Sequence, residues 1–345
     1  MIGIRADANK EIATGHIMRC ISIANQLIKL GEEVIFIVSD LYGQELLEDN
    51  KLSYVCLQSD WRDKGSEISC LREVVEQNNI KVLLLDSYQA TREYMNQVKH
   101  MVKLVYIDDL CAYEYPVDAI INDALDASTD VYPYAEKQET ELWIGNSYIM
   151  LREEFCNKRI CIQQKVSNVM LTTGGADQWQ ICRSFLRDII EKELFKDVIF
   201  HVVVGKFFTS VEDLYEIQRM RPGIVIHENV VSMSEIMLSC DVAISAGGST
   251  LNELCAMGIP AICFSVADNQ MQTVQLFEER QLMISNGDVR GNTRFYIELE
   301  NNVTRMINNY SLRREMSERE KSMIDGKGAY RIAQNMCKMK DVSKK

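Results

Sequence analysis

The sequence predicts an α/β protein made of two Rossmann-like, doubly wound domains in one chain. Three observations carry this. Short β-branched runs alternate with amphipathic stretches along the whole length. The alternation occurs twice and breaks at residues 145–165, where Arg152-Glu153-Glu154 and Lys158-Arg159 cluster. The 345 residues fit two domains at ~100–200 residues each. Strand–helix alternation requires right-handed crossovers, hence parallel sheets covered on both faces. The expected domains are 1–155 and 163–325, with a last helix at about 329–341 packing back on the first. Ligands of such sheets sit beyond the carboxyl ends of the strands, so the expected site is the cleft between the domains.

In the first half, strands are expected at 2–6, 34–38, 54–57, 82–86, 104–107 and 119–121, with helices at 16–30, 66–77 and 91–99. In 16–30 the apolar residues Ile17, Cys20, Ile21, Ala24, Leu27 and Ile28 recur at three- and four-residue steps, and Gly31 follows as a natural helix terminator. The second half repeats the plan with strands at 169–172, 199–204, 224–227, 242–245 and 261–264.

Composition narrows the function. Charged residues are 26% and hydrophobic ones 47%, an ordinary globular balance. A formal charge of −12 repels phosphate backbones and argues against nucleic-acid binding. The longest aliphatic run near a strand, Val82-Leu83-Leu84-Leu85, is far short of the ~20 residues that span a bilayer. The eleven cysteines show no Cys-x-x-Cys pair and no zinc-finger spacing. Their odd number and scatter suit free thiols, and the N-terminus has no apolar signal segment, so a soluble cytoplasmic protein is expected. No metal and no cofactor is expected, because the acids and histidines do not fall into ligand spacing.

The first strand ends in Arg5-Ala6-Asp7, and a loop with Gly15 leads to His16 at the opening of the next helix. The helix macrodipole opposes a positive charge there, which leaves the imidazole able to accept a proton. Arg19 lies one turn on, on the same face. His16 is either a simple cap or a catalytic group, and its place at a strand–loop–helix junction favours the second. His100, His201 and His227 read as structural. The strand at 82–86 ends in Asp86-Ser87-Tyr88. Asp86 reads equally as a turn former, and Tyr88 is the better functional candidate. Asp108-Asp109 supplies either a second carboxylate or a helix cap.

In the second half, Gly174-Gly175 follows a strand, by itself a weak signal. Ser245-Ala246-Gly247-Gly248-Ser249-Thr250 is stronger: a strand ends, two glycines let a ligand approach the backbone, and a helix begins. Such a helix N-terminus binds a diphosphate without lysine, and Glu253, one turn inside, is in reach of ribose hydroxyls. Asp268-Asn269-Gln270 adds polar groups after the next strand.

The block Gly247–Pro260, read as Gly-Gly-Ser-Thr-x-x-Glu-x-x-x-x-Gly-x-Pro, resembles nucleotide-sugar enzymes of the glycosyltransferase-B (GT-B) fold. Arg5-x-Asp7, Gly15-His16-x-x-Arg19-Cys20, Asp86-x-Tyr88, Ile107-Asp108-Asp109, Gly145-x-x-Tyr148-x-x-Leu151-Arg152-x-x-Phe155, Gly174-Gly175 and Asp268-Asn269-Gln270 resemble, in order, the pseudaminic acid pathway hydrolase family. The likeness covers about residues 1–280. It implies hydrolysis of UDP-2,4-diacetamido-2,4,6-trideoxy-β-L-altropyranose to UDP and the free sugar, for later condensation into a nonulosonic acid. It implies His16 and Tyr88 as the catalytic residues. It implies Arg5, Asp7, Gly15, Arg19, Gly174, Gly175, Val230, Gly247, Gly248, Ser249, Thr250, Glu253, Asn269 and Gln270 as substrate-binding, with Val230 on the uracil side. Two departures stand out: Ala13 replaces a glycine the family usually has before its Thr-Gly-His, and Ser87 replaces a frequent histidine.

The chemistry so implied is inverting attack of water on the anomeric carbon, with His16 as general base and the helix N-terminus near Ser249 stabilising the leaving diphosphate. Two alternatives remain: a glycosyltransferase with the same nucleotide half, or a non-catalytic nucleotide-sugar binding protein. The expected partner is the UDP-sugar substrate, with no nucleic acid and no membrane span; the sequence leaves the oligomeric state open and favours a monomer.

Overall fold

The computed structural model describes residues 1–9, 11–12, 14–209 and 211–342. The chain divides into two compact units, Met1–Glu153 with residues from Lys327 onward, and Glu154–Gly326.

The first unit holds β1 (Ile2–Ala6), α1 (Gly15–Lys29), β2 (Val34–Val38), α2 (Gln44–Asp49), β3 (Ser53–Cys56), α3 (Ile68–Gln77), β4 (Val82–Asp86), α4 (Arg92–Lys99), β5 (Lys103–Ile107), β6 (Ala119–Asn122) and β7 (Glu141–Ile144). The strands form one parallel sheet in the order β3-β2-β1-β4-β5-β6-β7. Every residue of β1 and β4 is buried, as a central strand covered on both faces requires. α1 buries Ile17, Cys20, Ile21, Ala24 and Leu27 against that sheet. It ends where Gly31 takes φ +87°, donating to Ile28 O while Glu32 N–H donates to Leu27 O. Those two bonds satisfy last-turn carbonyls that only a left-handed residue lets the chain reach.

The second unit holds β8 (Asn168–Thr172), α5 (Ile181–Glu191), β9 (Ile199–Val203), α6 (Val211–Met220), β10 (Ile224–His227), α7 (Met233–Leu238), β11 (Val242–Ala246), α8 (Thr250–Met257), β12 (Ala261–Ser265), α9 (Asp268–Glu279), β13 (Ile284–Asp288), α10 (Phe295–Asn308) and α11 (Tyr310–Met323). Its sheet is also parallel, in the order β10-β9-β8-β11-β12-β13. The last helix, α12 (Gly328–Val342), belongs to the first unit. There it buries Ile332, Ala333 and Met336 in the core shared with α1 and is pinned by Arg331 donating to Ser147 O and by a Lys340–Glu32 ion pair.

The strands expected from the sequence form within a residue or two, but β7 and β13 had no counterpart in that reading. Both are edge strands. β7 is Glu-Leu-Trp-Ile and β13 is Ile-Ser-Asn-Gly-Asp with Gly287 at φ +74°. An edge strand needs no continuous apolar run, and a polar segment with a central glycine carries no strand signal of its own. Residues 156–162, which fall between the two expected domains, lie within the second unit, where Ile160 N–H donates to Met257 O. Among the described residues, no helix is long and apolar enough to cross a membrane.

Candidate functional site

In each sheet the strand order reverses at one point, between β1 and β4 in the first unit and between β8 and β11 in the second. Loops diverge there, opening a crevice at the carboxyl ends. Both groups of sequence motifs fall at these points.

In the first unit, Ala6 of β1 pairs with Asp86 of β4, and the loop after β1 delivers His16 into the first turn of α1. His16 Nδ1 lies 2.6 Å from Asp86 Oδ1. Arg19, one turn later, binds the same carboxylate with two parallel bonds, Nε to Oδ2 and Nη2 to Oδ1, each 2.6 Å. It reaches Asp109 Oδ1 through Nη1 at 2.9 Å and Asp109 Oδ2 through Nη2 at 2.8 Å. Tyr88 donates to Asp109 Oδ2 at 2.6 Å and sets its ring edge-on to the His16 imidazole, centroids 4.6 Å apart. His16, Arg19, Asp86, Tyr88 and Asp109 therefore form one connected cluster.

Its electrostatics fix the protons. Burial by itself would raise the Asp86 carboxyl; the Arg19 guanidinium, aided by His16, overrides this and holds it at about 2. An ionised carboxylate only accepts, so His16 Nδ1 is the donor towards it at 2.6 Å, and in the neutral ring Nε2 is then the acceptor. Burial and the Asp109 carboxylate push the Tyr88 phenol well up, so Tyr88 serves as a hydrogen-bond donor.

The structure also separates the two acids left open after β5. Asp108 is buried and accepts from the N–H groups of Leu110 and Cys111 and the hydroxyls of Tyr115 and Tyr132, which makes it a loop anchor. Asp109 faces Arg19 and Tyr88. Arg5 and Asp7, which the resemblance implies as substrate-binding, lie buried in an ion network of the first unit. Arg5 is fully buried and bonds Glu67 through Nε (2.8 Å) and Nη2 (2.7 Å), Asp7 through Nη1 (2.7 Å), and Ser39. Asp7 is held well below the usual carboxylate range by Arg5 and Lys64, against its burial. The five N–H donors of Arg5 are all taken up, by Glu67, Asp7, Ile37 O and Ser39, so Arg5 ties β1 to the end of β2 and to the segment before α3. Gly15 opens α1 with free space at the Cβ position. Ala13 lies outside the described residues.

In the second unit, Gly247 follows β11 and donates its backbone N–H to Phe264 O at 2.8 Å. A Cβ there would lie 2.6 Å from Val274 Cγ2 and 3.2 Å from Gln270 Cβ, so only glycine lets α9 approach. Gly248 is different: nothing lies within 4 Å of its Cβ position, which leaves its surface open to a ligand. Ser249 and Thr250 begin α8, where Leu251 N–H donates to Gly248 O at 3.1 Å and the N–H groups of Asn252 and Glu253 turn back to Ser249 O at 3.0 and 3.4 Å. Glu253 is buried one turn on. Asn269 is exposed at the start of α9, whereas the Gln270 side chain accepts from Val266 N–H at 3.1 Å and so holds a turn.

Gly174, at φ +82°, and Gly175 make the turn after β8. Their carbonyls press on Gly205, where a Cβ would come within 2.2 Å of Gly174 O. Gly205 thus shares a backbone-to-backbone contact that only a spatial partner reveals. Val230 is half-buried in the loop after β10. Arg290, after β13, binds Asp268 at the start of α9 at 2.7 Å and was not singled out by any motif. His201 and His227 stack and share a 2.9 Å hydrogen bond on their own sheet face. Among the described residues no cluster of His, Cys, Asp and Glu could hold a metal ion.

The chain is 22% identical to the spore coat polysaccharide biosynthesis protein SpsG of Bacillus subtilis, over 96% of each chain. It is 23% identical to the UDP-2,4-diacetamido-2,4,6-trideoxy-β-L-altropyranose hydrolase of Campylobacter jejuni, covering 75% of this chain and 90% of that one. It is also 23% identical to an uncharacterised protein of Methanocaldococcus jannaschii, covering 76% of this chain. The chain spans about half the length of that archaeal relative, 54%. Among solved structures, the glycosyltransferase of kitacinnamycin superimposes with a TM-score of 0.70 at 15% identity over 98% of each chain. MurG of Acinetobacter baumannii does so at 0.66 and 13% identity, over 97% of this chain and 99% of its own. The fold is therefore GT-B. The model of the family described as "Protein of unknown function (DUF354)" matches residues 148–323, just over half of the sequence, and the chain belongs to that family.

Proposed function

We propose that the protein hydrolyses a UDP-linked 2,4-diacetamido-2,4,6-trideoxy hexose to UDP and the free sugar, with inversion at the anomeric carbon, in nonulosonic acid synthesis. The observation that carries this reading is the 2.6 Å bond between His16 Nδ1 and the ionised Asp86, which leaves Nε2 as a base. A water oxygen attacks the anomeric carbon, its proton passes to His16 Nε2, and the carbon–oxygen bond to the β-phosphate breaks with its electron pair leaving on UDP. General-base help of this kind contributes ~10²–10⁴-fold. Gly248 and the N-terminus of α8 take the diphosphate, whose growing charge the helix dipole favours. The Campylobacter relative's printed activity and the shared motif order support the choice of sugar.

The test is incubation with that UDP-sugar in ¹⁸O-water, without metal or acceptor. Label in the sugar and none in UDP is the expected result. His16→Ala should keep UDP affinity and lose ~10²–10⁴-fold in turnover. UDP release that waits for an added alcohol acceptor would move the reading to a glycosyltransferase, the activity printed for the kitacinnamycin neighbour. Unchanged turnover in His16→Ala would refute the base.

A further inference from the structure

β4, β5 and β6 run in register, Leu85 beside Tyr106 and Ile107 beside Ile121, so their carboxyl ends lie side by side. Each of these ends carries an acid: Asp86, Asp109 and Asp123. The first two are used up. Asp86 Oδ1 accepts from His16 and Arg19, and its Oδ2 from Arg19 and the Cys20 thiol. Asp109 accepts from Arg19 on both oxygens and from Tyr88.

Asp123, just beyond β6, has no cation paired with it among the described residues. Its carboxylate accepts from Met150 N–H at 3.5 Å, the outer limit of a hydrogen bond, and from its own backbone N–H. A carboxylate offers about four acceptor positions, so this partly buried one keeps capacity for a donor beyond those that the described residues supply. The charged groups bearing on it are Arg19 from α1 and Asp109 after β5. Four acids, Asp86, Asp108, Asp109 and Asp123, with Arg19 among them make this end of the sheet rich in carboxylates, which disfavours a phosphate and favours an uncharged group that donates hydrogen bonds.

We propose that Asp123 is a further substrate-binding residue, whose ionised carboxylate accepts a hydrogen bond from an N–H or O–H of the sugar. The proposal rests on the nucleotide-sugar reading above. Burial, with the like charge of Asp109 adding and Arg19 opposing, raises this carboxyl to about 6. Acidification from about pH 7.5 to about pH 5 therefore takes it from mostly ionised to mostly protonated and removes the acceptor.

The experiment is calorimetric binding of the UDP-diacetamido sugar and, separately, of UDP to the full chain at both pH values. It is run in a His16→Gln background, so that the imidazole is absent and the ligand is not consumed. The expected result is a roughly tenfold loss of affinity for the nucleotide sugar on acidification, and an Asp123→Asn change that leaves UDP affinity at each pH as in its parent. Asp123→Asn, in the same background, should bind the nucleotide sugar about tenfold more weakly at the higher pH and lose the pH dependence. Should Asp123→Asn melt early, Asp123→Ser carries the same comparison. A variant that binds the nucleotide sugar as tightly as its parent, or keeps the parent's pH dependence, overturns the proposal. Binding without hydrolysis by the unmodified protein would instead overturn the hydrolase reading and leave this comparison intact.

Discussion

Replacing Asp86 by Asn removes one charge at constant volume and so isolates what the carboxylate does. Asp86 is fully buried, with His16 Nδ1 and two Arg19 nitrogens each 2.6 Å away. An amide presents one acceptor and two donors to these three partners, so a donor must face either Arg19 or His16. Facing His16, it forces the proton onto Nε2 and removes the base. Turnover should fall ~10²–10⁴-fold with UDP affinity unchanged. Stability falls as well. The carboxyl stands at about 2 against an ordinary 3.8, which is worth about 2.5 kcal/mol at about 1.4 kcal/mol per tenfold change in proton affinity. Because the folded-state value is the lower one, this stabilisation is fully present above about pH 4 and is lost as pH falls towards 2. Urea unfolding at neutral pH should therefore show a variant weaker by about 2–3 kcal/mol, the two proteins converging in acid. A variant within about 0.5 kcal/mol of wild type at neutral pH, or one that releases UDP at the wild-type rate, would refute the reasoning.

Beyond the losses expected for His16→Ala and Asp123→Asn, two glycines and one buried acid make separable predictions. Gly248→Ala has open space at its Cβ position, so melting should be unchanged while UDP affinity drops at least about tenfold if phosphate approaches that backbone. Gly247→Ala drives a methyl to 2.6 Å from Val274 and should lower the melting temperature as well; equal melting curves for the two variants would contradict this. Glu320 is fully buried, with neither carboxylate oxygen bonded among the described residues, and burial pushes its carboxyl well up. A raised folded-state value means the native protein holds a proton that the unfolded chain gives up, so stability falls as pH rises above the ordinary carboxylate range. Glu320→Met should gain about 1–3 kcal/mol at neutral pH and less in acid, read by urea unfolding across that range. A loss at neutral pH would count against the assignment.

The sequence by itself determined the alternation of strand and helix, the site of α1 and the glycine turn before α8. These follow from local periodicity and from backbone conformations that single residues dictate. It also brought out His16, Tyr88 and Gly247–Thr250, because strand–loop–helix junctions are legible in order. Tertiary structure decided the rest. Asp86, 70 residues from His16, reads in sequence as a turn former, and only the β1–β4 pairing makes it the partner that sets the histidine's protons. Arg5 and Arg19 look alike as cations near a ligand, yet Arg5 is closed inside an ion network and Arg19 organises the acids around the imidazole. Asp108 and Asp109 are neighbours in the chain, but successive residues at a strand end point in opposite directions, so one anchors a loop and the other faces the site. Asp123 carries no motif; it matters because β6 lies beside β5 in the sheet. Local chemistry writes the elements, and non-local strand order decides which side chains meet.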